Sequence, residues 1–232
     1  MNILVTGANR GLGLSFIKLG LEKGYQLFAG VRTLDNKTTK ALLELKDSYK
    51  NQLHILQLDV TDEQSVALAA NSLKESGQTL DVIINNAAVL EEREQTVEEL
   101  DIEACMNSFN INTLGPMRVV KHFLPLLEVG TKQSIVNISS NAASLTHAYS
   151  GDYPYGLSKV ALNMFSEKIS RELKEKNIRV YSIHPGWMKT DMGGEQAHLE
   201  PLESAIGIYD IIEQKIDINS VYIDYQGKRM DF

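Results

Sequence analysis

Tyr155 and Lys159 stand four residues apart in YGLSK (155–159). In a helix that spacing puts both side chains on one face, one turn apart. A free tyrosine ionises near pH ~10, so its phenolate is scarce at neutral pH. An ammonium beside it would favour the phenolate and bring the group nearer the pH at which a general acid/base works. The pair could therefore give a proton to an oxygen or take one from it. Tyr149, Tyr153 and Tyr181 have no lysine four residues on. Ser140 follows the apolar run SIVNIS (134–139), where its hydroxyl could bond the same oxygen. Ser139 and Ser144 are the alternatives.

A second stretch suited to chemistry opens the chain, MNILVTGANRGLG. Gly7, Gly11 and Gly13 follow an apolar run and precede a helical pattern. A strand, a glycine-rich turn and a helix together present unpaired N–H groups and a positive dipole end, which favour phosphate. Gly7 suits a tight turn, Gly11 a close approach of backbone to a pyrophosphate, and Gly13 close packing of helix on strand.

These groups need a frame, and the hydrophobic pattern supplies one. The runs at 2–6, 25–31, 53–58, 80–85, 133–139, 178–184 and 221–225 are mostly continuous and apolar, as in strands buried on both faces. Amphipathic segments lie between them, for example Ala161, Leu162, Phe165, Ile169 and Leu173. Such alternation specifies right-handed βαβ crossovers and a parallel sheet. The irregular stretch 190–200 falls between a strand and a helix, so it is expected at the carboxyl edge of the sheet, where ligands bind. Its adjacent Gly193 and Gly194 suit a short lid.

Composition narrows the class. The 232 residues carry a net charge of −7, with 43% hydrophobic and 23% charged residues, which fits one globular domain over 1–232. The acidic balance and the absence of a basic block argue against a nucleic-acid surface. No apolar run approaches the roughly 20 residues that span a bilayer, and no signal peptide is visible at Met1-Asn2-Ile3. Cys105 is the one cysteine and reads as a small buried residue rather than a nucleophile. A reducing, cytoplasmic setting is expected.

Beyond TGANRGLG and YGLSK come NNAA (85–88), NTLG (112–115), ISS (138–140) and HPGWMKTDMGG (184–194). Taken in this order, the motifs closely resemble the short-chain dehydrogenase/reductase family over essentially the whole chain. The compact length, HPGWMKTDMGG and the ending YIDYQGKRMDF look most like its C-factor and sniffer group of carbonyl-reductase-like proteins. The resemblance implies a Rossmann-type, doubly wound, mainly parallel seven-stranded sheet with helices on both faces. It implies a catalytic set of Asn112, Ser140, Tyr155 and Lys159 that needs no metal. Asn112 matches the asparagine of a water-linked proton path to the lysine, and Lys159 also matches the ligand of the nicotinamide ribose. The interval from Ser140 to Tyr155 is somewhat longer than the commonest form, and a strict spacing would land on Ala142, which cannot act.

The coenzyme is expected to be NADP(H). An acidic residue ending the second strand suits the ribose 2′-OH of NAD, and an arginine suits the 2′-phosphate of NADP. Here FAGVRT places Arg32 at that point, with no carboxylate before Asp35. Arg10 in the turn would be a second cation for the same phosphate. The rest of the coenzyme site follows the resemblance: Asn9 and Leu12 in the glycine turn, Asp59 and Val60 at the adenine, and Asn86, Ala87 and Ala88 in NNAA. Ala88 replaces the usual glycine, which is tolerable where φ is negative. Pro185, Gly186, Met188 and Thr190 flank the nicotinamide. Trp187, Met188, His147 and Tyr149 could line a small, partly apolar substrate pocket.

The implied activity is reversible reduction of small aldehyde or ketone substrates to alcohols by an NADPH-dependent enzyme. The alternative is an NADP-binding regulatory or signalling protein with weak turnover. An extended-type epimerase or dehydratase is disfavoured by the short chain and the TGANRGLG spacing. A homodimer or homotetramer is expected, built through helices around 97–129 and 155–175.

Overall fold

The computed structural model describes residues 1–127 and 132–232. All seven expected strands form: β1 (Asn2–Thr6), β2 (Gln26–Val31), β3 (Leu53–Gln57), β4 (Val82–Asn85), β5 (Ser134–Ile138), β6 (Arg179–His184) and β7 (Tyr222–Asp224). They make one sheet in the order β3-β2-β1-β4-β5-β6-β7, and every pairing is parallel. The expectation of a Rossmann-type doubly wound sheet holds; beside its parallel strand pairings, an isolated antiparallel bridge joins Ile223 to Arg229. The central strands lie under helices on both sides, which is why Ile3-Leu4-Val5 and Val82-Ile83-Ile84 are apolar without alternation.

The helices are α1 (Gly11–Glu22), α2 (Lys40–Ser48), α3 (Glu63–Glu75), α4 (Ile102–Phe109), α5 (Gly115–Phe123), α6 (Tyr153–Glu172) and α7 (Pro201–Ile212). Phe16, Ile17 and Leu21 of α1, Leu42 of α2, and Ile208, Tyr209 and Ile212 of α7 cover one face. Val66 and Leu73 of α3, Val119 and Phe123 of α5, and Ile169 of α6 cover the other. Strand order reverses between β1 and β4. That divergence opens a crevice at the carboxyl ends of the strands, the usual ligand position in such sheets. No helix among the described residues is long and apolar enough to cross a membrane. Residues 128 and 129, at the end of the expected interface segment, lie outside the described residues.

Candidate active site

The glycine turn sits at the crevice. Gly7 has φ +63°, a left-handed value, and a Cβ there would come within 2.9 Å of the Ala87 backbone. A Cβ on Gly13 would overlap the Gly7 carbonyl and lie 2.7 Å from Asn86 Nδ2. The two loops are also tied polarly: Asn86 Nδ2 donates to the Thr6 and Gly7 carbonyls at 2.9 and 3.1 Å. Thr6 Oγ1 accepts from the N–H groups of Asn86 and Ala87. Leu12 is buried, and Ala88 is not among the residues with positive φ, as its replacement of glycine requires. The first turn of α1 has neither a side-chain cap nor an acidic residue. Its leading N–H groups are therefore left for an anion.

The second-strand end carries the adenosine side. Arg32 lines a cleft of about 620 Å³ with Thr33, Gln57, Asp59, Asp62 and Gln64. It is exposed and makes no ion pair among the described residues. Asp35, the nearest following carboxylate, is turned into its own loop. It accepts from the N–H groups of Lys37 and Thr38 and from the hydroxyls of Thr33 and Thr38. The Thr38 hydrogen bonds hold it well below the usual carboxylate range, at about 2. Asp59 accepts from Thr61, and Val60 packs against Gly115. Asn9 Nδ2 reaches the Thr38 carbonyl at 3.3 Å. Arg10 does not line this cleft with Arg32 in the coenzyme-free chain. Its Nη1 lies 2.7 Å from Asp191 Oδ2, because the 190–194 turn folds back over the glycine turn. Thr190 Cγ2 would be the nearest neighbour of a Cβ on Gly11.

Tyr155 and Lys159 lie in the first two turns of α6, and both are buried. Lys159 Nζ donates to the Ile138 carbonyl at 2.7 Å and sits 5.5 Å from the centroid of the Tyr155 ring. Strand alternation separates the serines. Ser139 Oγ donates to buried Asn163 Oδ1, whereas Ser140 points to the Tyr155 side. Ser144 is used locally, accepting from the His147 N–H. The extra length between Ser140 and Tyr155 begins as a short 3-10 turn, Asn141–Ala143, capped by the Ser140 hydroxyl. Two contacts fix this turn from behind: Asn141 N–H donates to His184 Nδ1 at 3.1 Å, and Tyr222 Oη to the Ser140 carbonyl at 2.7 Å. Burial lowers His184 to about 4, so the ring stays neutral and able to accept.

Asn112 lies in a π-helical turn, Asn110–Leu114, between α4 and α5. Pro116 has no N–H and so cannot give the Asn112 carbonyl its α-helical hydrogen bond. The Asn112 side chain clasps both backbone groups of Val89 and donates to Ser158 Oγ at 3.0 Å. Ser158 Oγ in turn donates to the Tyr155 carbonyl at 2.7 Å. Asn112, Ser140, Tyr155 and Lys159 are thus brought into one buried neighbourhood.

Proximity to an ammonium is expected to lower the tyrosine, and an oxidised nicotinamide would act in the same direction; the coenzyme-free chain has only the lysine. There burial pushes Tyr155 up to about 12, opposed by the Ser140 hydroxyl, and burial lowers Lys159 to about 7. With both groups largely withdrawn from solvent, the charged forms are the costly ones.

At the other wall, Pro185 and Gly186 follow β6, and Gly186 has φ +83°. The 190–194 segment is a compact turn. Gly193 N–H donates to Thr190 Oγ1, and Trp187 Nε1 to the Gly193 carbonyl. Met188 is half-buried and packs against the hydrophobic core on one face of the sheet. Trp187, Tyr149 and His147 are exposed around the crevice. Cys105 is half-buried with its thiol pushed up by burial, against a nucleophilic role. Sequence reasoning missed Tyr222, Asn163, Asp152 and Arg93. Each matters through a partner distant in the chain, and none belongs to a motif.

The chain is similar to known proteins in sequence and in fold. The family model described as short chain dehydrogenase matches residues 1–200. The NADPH-bound carbonyl reductase from chicken fatty liver is 31% identical, with a TM-score of 0.88 over 100% of this chain and 98% of that one. The carbonyl reductase Sniffer of D. melanogaster is 28% identical, with a TM-score of 0.90 over 100% and 99%. The C-signal of Myxococcus xanthus is 35% identical over 150 residues, 64% of this chain and 90% of that protein. With a parallel Rossmann-type sheet, a glycine turn at its crevice and this family match over most of its length, the chain belongs to the short chain dehydrogenase family of oxidoreductases.

Proposed function

We propose that the protein is an NADPH-dependent carbonyl reductase acting on aldehydes or ketones, with all of 1–232 working as one unit. The observation that carries this reading is the convergence of Ser140, Tyr155 and Lys159 at the end of β5 and the start of α6. They lie in the same crevice as the uncapped glycine turn.

The residues present fit the coenzyme. The cradle around Gly7 and Gly13 excludes side chains, and the first turn of α1 has free N–H groups for a pyrophosphate. Unpaired Arg32 and inward-turned Asp35 favour a 2′-phosphate over a bare ribose hydroxyl. Asp59 and Val60 would lie by the adenine, with Asn86, Ala87 and Ala88 beneath the dinucleotide. Pro185, Gly186, Met188 and Thr190 would hold the nicotinamide end. Arg10 would turn from Asp191 to the phosphate, because an exposed ion pair is worth only ~0–1 kcal/mol.

NADPH, when bound, supplies the hydride for the carbonyl carbon. Tyr155 Oη gives its proton to the carbonyl oxygen, and the Ser140 hydroxyl holds that oxygen in place. As a phenol that ionises only at about 12, Tyr155 carries its proton throughout the neutral range. Lys159, lowered to about 7, holds both protonation states near neutral pH; in its ammonium form it stabilises the phenolate left behind, which regains a proton from solvent. The buried Asn112–Ser158 link holds the helix turn that carries Tyr155.

Coenzyme choice is the first test. A hydrogen bond to a charged group is worth ~1.5–3 kcal/mol, and ~1.4 kcal/mol is tenfold, so one effective arginine gives about ten- to a hundredfold preference. The kcat/KM ratio of NADPH over NADH should show it. Arg32→Asp should reverse the preference, and added salt should weaken NADPH more than NADH. A ratio at or below unity in the unmodified protein would refute the assignment.

A signalling protein with weak turnover is the second reading, favoured by similarity to the C-signal over 64% of the chain. NADPH oxidation across a panel of aldehydes and ketones separates the two.

Self-association is part of the proposal. Ile102 and Met106 on α4, Met117 on α5, and Leu157 and Met164 on α6 are large, apolar and exposed. Burying such a face in a dimer or tetramer removes it from water. Met106→Asp combined with Met164→Asp should shift the protein to monomer in sedimentation, with the sheet intact by circular dichroism. A monomeric unmodified protein would remove the proposal.

A further inference from the structure

Arg93 lies outside every motif, yet three segments around Tyr155 meet on it. It sits in the loop between β4 and α4. That loop is anchored by Asn112 on Val89 and by Asn107 Nδ2, which donates to both Glu91 oxygens at 2.9 and 3.0 Å. Beyond these anchors the chain turns at Glu92, φ +52°. Facing it, Asp152 precedes α6 with φ +48°. Four non-glycine residues among the described ones have positive φ, and these two flank a single contact, Asp152 N–H to the Arg93 carbonyl at 3.1 Å. Left-handed backbone at a non-glycine residue costs ~1–3 kcal/mol and persists only where surroundings impose it. Gly151 lies beside the same carbonyl, where a Cβ would come within 3.2 Å of it.

The side chains extend the junction. Arg93 Nη2 donates to the Met192 carbonyl at 2.9 Å. Its Nε lies 3.9 Å from Asp152 Oδ1, a buried oxygen with no hydrogen bond. The other Asp152 oxygen accepts from Tyr149 Oη at 2.9 Å. One guanidinium therefore joins the 190–194 turn, the 149–152 segment and the start of the helix that carries Tyr155.

We infer that Arg93 is a positioning residue: it clamps the Met192 turn to the start of α6 and so holds Tyr155 in register with the crevice. The inference rests on the reading of Tyr155 as proton donor. Without the clamp, the first turn of α6 keeps its backbone contact to the Arg93 carbonyl but loses its tie to the 190–194 turn.

The test compares Arg93→Ala and Arg93→Lys with the unmodified, coenzyme-free chain by hydrogen exchange. In Arg93→Ala the amides of 149–156 and 190–194 should exchange roughly tenfold faster, while those of β1 stay unchanged. Arg93→Lys, which can still donate to the Met192 carbonyl, should recover much of the protection. Unchanged exchange in both segments overturns the clamp. The kinetic arm expects kcat for a neutral carbonyl substrate to fall roughly tenfold in Arg93→Ala, or ~1.4 kcal/mol in the barrier, with KM unchanged. A loss seen only in KM, and only for anionic substrates, would make Arg93 a substrate ligand and overturn the inference. If the unmodified protein does not oxidise NADPH at all, the carbonyl-reductase reading fails, while the exchange arm still decides the clamp.

Discussion

Tyr155→Phe should lower turnover of a carbonyl substrate by about 10²–10⁴, the range associated with a positioned general acid. NADPH affinity should barely change, because the ring keeps its packing and only the hydroxyl is lost. The neighbourhood has no ready substitute. Tyr149 Oη donates to Asp152, and Tyr222 Oη to the Ser140 carbonyl. Ser140 retains a hydroxyl, but an alcohol is far too weak an acid to take over. Single-turnover measurements with saturating NADPH isolate the chemical step from coenzyme release. A variant that kept more than about a tenth of the unmodified rate would have lost only ~1.4 kcal/mol of barrier stabilisation. That result would remove Tyr155 from the acid role.

The parts legible in the sequence are those whose partners are close along the chain. The glycine turn is one: strand, turn and helix start lie within a dozen residues, and their conformation follows from local sterics. The Tyr155–Lys159 pair is another, because helix periodicity alone puts both on one face. Ser140 is separable from Ser139 by strand alternation once the strand is placed, since consecutive residues face opposite sides of the sheet. What sequence does not carry is depth of burial and long-range approach. The upward shift of Tyr155 is hidden because proximity of an ammonium is visible in a motif and loss of solvent is not. The ion pair of Arg10 is hidden for a related reason. Its partner Asp191 is 181 residues away, so only the folded chain reveals the pair. Tyr222 meets Ser140 across 82 residues, and Arg93 reaches Met192 across 99.

Lys159→Met should stabilise the coenzyme-free chain while abolishing most turnover. Lys159 Nζ is buried, with the Ile138 carbonyl as its hydrogen-bond acceptor and the Tyr155 ring 5.5 Å away. Burial lowers its folded value to about 7, against 10.5 for the unperturbed side chain. Between those two values the unfolded chain holds a proton that the folded chain does not. Stability therefore rises with pH across that window. Below the window both states are protonated and the folded chain bears the full cost of a buried charge. Each unit of such depression corresponds to ~1.4 kcal/mol, so the cost is a few kcal/mol before the hydrogen bond to Ile138 offsets part of it. Methionine fills similar volume with no charge to desolvate, which is the kind of replacement that relieves a buried ion. Thermal unfolding of both proteins without coenzyme, at about pH 6 and about pH 9, reads out this linkage. The variant should be the more stable at the lower pH, and the two curves should approach each other at the higher. Tyr155, Cys105 and the other titrating groups are common to both proteins, so the difference isolates the lysine. Parallel curves would show that Lys159 is not destabilised by its burial. If they converge while turnover falls, the chain retains a lysine that weakens its own fold, and the ammonium beside Tyr155 is the function that accounts for it.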